Sequence, residues 1–76
     1  MRTIKWLNET HYFRADETIE TAIVDGERVI YMHYKNGYYS LIEGLDNLLA
    51  FIGGDVSERF ACVDSFAEVN KVLNEI

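Results

Sequence analysis

The chain has 76 residues, enough for one small domain, and 49% of them are hydrophobic, which excludes disorder for want of a core. Thirteen Asp and Glu against seven Lys and Arg give a formal charge of −6 at pH 7. That balance disfavours direct nucleic-acid binding, which draws on cations to neutralise phosphates, but it suits docking on the basic surface of a protein that handles nucleic acid.

Residues 2–14 read as extended. Ile4, Trp6, Tyr12 and Phe13 favour strands, and Asn8-Glu9-Thr10 is a candidate turn. Trp6 is expected in the core, where its ring buries a large apolar area. The stretch MRTIKWLNETHYF lacks the apolar centre of a signal peptide, and no apolar run approaches the roughly 18 residues that span a bilayer. A cytoplasmic location with no membrane role is expected. Arg14-Ala15-Asp16-Glu17 then forms a polar connection.

Residues 18–42, TIETAIVDGERVIYMHYKNGYYSLI, predict a three-strand meander. Asp25-Gly26 and Asn36-Gly37 are the dipeptides that type I′ hairpin turns favour, because both central positions need positive φ. A competing helix over 16–24, capped by Asp16 and ended by Gly26, is disfavoured by its Thr and Ile content. Two-residue loops set Val24 opposite Glu27, Ala22 opposite Val29, Lys35 opposite Tyr38 and His33 opposite Ser40. Alternation then places Ile19, Thr21, Ile23, Arg28, Ile30, Met32, Tyr34, Tyr39 and Leu41 on one face, the expected core. The other face holds Thr18, Glu20, Ala22, Val24, Val29, Tyr31, His33, Lys35, Tyr38, Ser40 and Ile42.

Glu43-Gly44 breaks the third strand. A short helix over about 45–52 follows, with Leu45, Leu48, Leu49 and Ile52 on its apolar side and Gly53-Gly54 ending it. The glycine pair follows a helix instead of opening one, so it is no phosphate loop. Residues 59–63, RFACV, read as a further strand. Ser65 and Glu68 form a capping box for a last helix over about 65–75, whose stripe is Phe66, Val69, Val72, Leu73 and Ile76. The sum is a single α+β domain over 1–76: a two-layer sandwich of a mostly antiparallel sheet of four to five strands, with both helices on one face.

No spacing in the chain carries catalytic, cofactor or metal chemistry, so no residue is assigned such a role. His11 and His33 are the only histidines, and Cys62 makes no CxxC or HExxH pattern. A Cys62–His33 nucleophile pair is a coincidence that any such composition allows. Cys62 reads as a small buried residue, and a lone cysteine fits a reducing compartment. So small a domain also has little room to enclose a ligand cavity of a few hundred Å³.

With both helices on the core face, the second sheet face would expose apolar groups among charges, the composition of an interaction site. A larger protein, a second copy, or the N-terminal segment could cover it. If the faces were inverted, Tyr34 and Tyr39 would be the exposed pair. The expected partner-binding residues are Glu20, Val24, Asp25, Glu27, Val29, Tyr31, His33, Lys35 and Tyr38. The expected function is non-enzymatic protein binding: a small acidic inhibitor of the phage anti-defence, anti-CRISPR-like kind, occluding a basic nucleic-acid-binding surface. A homodimer self-associating through the same face is the alternative.

Overall fold

The computed structural model describes every residue from Met1 to Ile76. Five strands form one antiparallel sheet in sequence order: β1 (Ile4–Arg14), β2 (Glu17–Val24), β3 (Arg28–Lys35), β4 (Tyr38–Glu43) and β5 (Ala61–Val63). Helix α1 (Leu45–Ile52) and a single 3-10 turn (Val56–Glu58) lie between β4 and β5, and α2 (Phe66–Glu75) closes the chain. The expected α+β class, meander and two helices are all present. Residues 17–24 are strand and not helix.

The β3–β4 turn matches its dipeptide. Asn36 and Gly37 have φ of 51° and 83°, and Lys35 pairs with Tyr38 across a two-residue loop. At the β2–β3 turn, Asp25 and Gly26 also have positive φ, and the Glu27 N–H donates to the Val24 carbonyl at 3.2 Å. There, however, the ladder pairs Val24 with Arg28, Ile23 with Val29 and Ala22 with Ile30. Glu27 is an extra, bulged residue. A slip of one residue turns a strand over relative to its neighbour, so the expected face of β2 is corrected. Ala22 and Val24, expected on the exposed face, are fully buried beside Ile30 and Met32, while Ile23 and Thr21 are only half-buried on the other side.

The two helices cover opposite faces, which corrects the expectation of one shared face. Val69 and Leu73 of α2 join Ala22, Val24, Ile30, Met32 and Leu41 in the larger core, with Trp6 packed against it. Leu48 and Phe51 of α1 join Ile19 and Ile42 in a smaller one. Leu41 and Ile42 are neighbours on β4, so alternation puts these clusters on different sides of the sheet. The corrected β2 register is the reason: once Ala22 and Val24 turn to the α2 side, Ile19, Tyr31 and Ile42 need a cover of their own.

Local chemistry sets the remaining boundaries. The Ser65 hydroxyl accepts from the Glu68 N–H at 3.3 Å and caps α2 as its spacing predicts. Gly54, at φ 115°, turns the chain out of α1 after its N–H donates to the Phe51 carbonyl. Residues 8–10 do not form a turn. β1 runs through them, with an irregularity between Trp6 and Thr10 centred on Asn8 at φ 58°.

Candidate functional site

The corrected register disperses the expected partner-binding residues. Glu20 and Val24 lie on the α2 face, and Val24 is inaccessible. Asp25 is already occupied: it accepts from the Thr3 N–H at 3.0 Å and from Arg2 Nη1 at 2.8 Å. These two bonds hold its carboxyl below the ordinary value of 3.8, the backbone one foremost. Val29, Tyr31, His33, Lys35 and Tyr38 do share the α1 face, with Val29 and Tyr31 half-buried and His33 buried. Glu27 is exposed on the bulge.

Two features occupy that face. The first is a polar cleft at its β3–β4 turn end. Cross-strand registers build it in two rows, Arg14–Glu17–Lys35–Tyr38 and Ile19–His33–Ser40–Cys62. Phe51 of α1 seals the inner end, its ring 5.2 Å from that of His33. The cleft has a volume of about 520 Å³. It is an open groove between sheet and loop, not an enclosed cavity.

Inside it, Glu17 and His33 form a buried pair with Oε1 2.9 Å from Nε2. The hydrogen bond from His33 is the main reason the Glu17 carboxyl sits below its ordinary 4.5, with Lys35 and Arg14 adding to it and burial opposing. An ionised carboxylate only accepts, so Nε2 carries the hydrogen between them. Ser40 is buried beside His33, and its hydroxyl lies 3.5 Å from Arg59 Nη1 and 3.9 Å from Cys62 Sγ. Cys62, on the edge strand β5, is exposed and not buried as expected. Ser40 also stands between Cys62 and His33, whose strands are two spacings apart, about 10 Å, so the two make no nucleophile–base contact. Nowhere in the chain do three His, Cys, Asp or Glu side chains converge as metal ligands would.

The second feature is the outer side of α1. This helix, LDNLLAFI, has only two polar residues, yet it lies on the surface. Leu48 and Phe51 are buried, with Ile52 packed beside them, but Leu45 and Leu49 are 56% and 54% exposed. The expected stripe of Leu45, Leu48, Leu49 and Ile52 is therefore rotated, because Phe51 takes the inward position. The leucines are four apart and adjacent on the helix surface. Gly44, one residue before them, donates its N–H to the Val29 carbonyl at 3.0 Å, so α1 starts at the half-buried Ile23–Val29 pair. Asp46 and Glu27 are exposed and have no cation partner.

The sequence shows Glu17, Arg14 and Arg59 only as scattered charges, since their convergence depends on the bulge at Glu27 and on the path of the chain after α1. No helix is long and apolar enough to cross a membrane. Comparison with protein-family models, curated proteins and solved structures returns no match.

Proposed function

We propose that this chain is a non-enzymatic protein-binding domain of the cytoplasm, a small acidic inhibitor of the phage anti-defence, anti-CRISPR-like type. It acts by covering a basic nucleic-acid-binding surface on a larger protein. The observation that carries this reading is the outer side of α1. Two adjacent leucines, each more than half exposed on a helix with two polar residues, are an apolar surface without an internal partner. The exposed carboxylates of Glu27, in the loop before β3, and Asp46, in the first turn of α1, form no ion pair. An apolar centre with an acidic rim complements a basic rim around an apolar groove, and long-range attraction speeds the encounter.

The test is capture from host lysate at low and high salt by the wild-type chain and by Leu49→Lys, with light scattering on the free protein. The expected result is a stoichiometric partner at low salt, released at high salt and absent with Leu49→Lys, whose own nucleic-acid binding is blocked by the wild-type chain. A dimer mass for the free protein that Leu49→Lys converts to a monomer would instead assign the leucines to self-association and end the inhibitor reading.

A further inference from the structure

The polar cleft carries an inference independent of the α1 leucines. Three of the seven cations, Arg14, Lys35 and Arg59, line it against a single carboxylate, Glu17. The other twelve carboxylates face four cations over the rest of the molecule. A protein of net charge −6 thus concentrates an excess of two positive charges in one concavity, where low-dielectric walls focus the field. Charges that serve solubility alone are interspersed in sign.

The cations are not neutralised from within. The Glu17 carboxylate is engaged by His33 at 2.9 Å and approaches Arg14 only to 4.0 Å. Lys35 forms no ion pair, and Arg59 makes one long contact, 3.5 Å to Ser40 Oγ, of the five N–H donors a guanidinium offers. Arg14 is steadied by the Phe13 ring, 4.6 Å beneath its guanidinium. The remaining walls include Tyr38 and Phe51, flat and apolar. A volume of about 520 Å³ falls within the range of small-ligand pockets, ~300–1,000 Å³.

We infer that this cleft binds a small phosphate monoester with a planar body. Such an ester carries close to two negative charges at pH 7, which matches the excess, whereas a carboxylate would leave one cation uncompensated. Arg59 and the Ser40 hydroxyl hold the phosphate, because a guanidinium fork suits its oxygens. Arg14 and Lys35 neutralise it from the rim, and the exposed Tyr38 ring packs on the planar body.

Calorimetric titration of the full chain with adenosine monophosphate and with phenyl phosphate tests this, with adenosine and inorganic phosphate as controls. Saturable one-to-one binding of at least one ester is expected, about tenfold or more tighter than either control. Arg59→Gln should weaken it about tenfold or more, with the melting temperature kept, and Lys71→Gln, an exposed cation on α2 across the sheet, should change nothing. Tighter binding of adenosine monophosphate points to a nucleotide ligand, and tighter binding of phenyl phosphate to a simple aryl ester. No heat with either ester, equal affinity for inorganic phosphate, or equal loss in Lys71→Gln would overturn the assignment. Should Arg59→Gln fail to fold, Arg14→Gln, whose side chain is mostly exposed, carries the same comparison.

Discussion

Glu17 is the residue whose chemistry depends most on its surroundings. Buried against His33 and held ionised below its ordinary 4.5, it contributes stability that is fully present above that value. The contribution is lost as pH falls through the depressed folded value. Asp25, bonded to Thr3 and Arg2, and Glu43, bonded through both oxygens to Arg28 at 2.9 and 2.8 Å, shift the same way and steepen the acid limb. Glu17→Gln should therefore melt lower than wild type at neutral pH and lose less on acidification below about 4.5, so that the two curves converge. Melting curves against pH check this, and parallel curves would show that the carboxylate contributes nothing through its charge. Position-specific backbone chemistry was legible at this scale: Asp25, Asn36 and Ser65 adopt the conformations and bonds their types favour. The Glu17–His33 pair was not, since the two are 16 residues apart and meet only through a register.

Among the elements, β2 and α1 departed from expectation for one connected reason. Alternation alone cannot say which face of a strand points inward when both carry apolar residues, as Ile19, Ala22, Ile23 and Val24 do. The bulge at Glu27 decides it, and the helix following β4 then covers the face that α2 leaves open. Within α1, Leu48 and Leu49 are neighbours in sequence with opposite roles. Leu48→Ala removes one of four buried members of the smaller core and should cost about 2–4 kcal/mol, lowering the melting temperature by roughly 10 °C or more. Leu49→Ala should stay within about 0.5 kcal/mol of wild type while weakening partner capture. Thermal denaturation separates them. Equal losses would mean that Leu49 is part of the core and is no docking residue.

At the scale of the whole molecule, charge is partitioned: an electropositive cleft lies within an otherwise acidic surface, where ten carboxylates have no cation within ion-pair distance. Self-repulsion among those ten should destabilise the free protein at low ionic strength more than its few surface ion pairs stabilise it. Raising salt is therefore expected to raise the melting temperature of the free chain while weakening partner binding. A melting temperature that falls with salt would show the ion pairs Arg28–Glu43 and Arg2–Asp25 to dominate.

By itself the sequence determined what depends on neighbouring residues: the four later strands and two helices, the two glycine turns, the cap at Ser65 and the net acidity. These follow from dihedral preference, periodicity and composition, which act within a few residues. Only the tertiary structure decided the sheet register at Glu27, the placement of the helices on opposite faces, and the meeting of Arg14, Glu17, His33, Ser40 and Arg59 in one cleft. Each of these turns on a single inserted residue or on the path of a connection. A strand with apolar groups on both faces satisfies local rules in either orientation, and the choice is made by how completely two small cores can be buried at once.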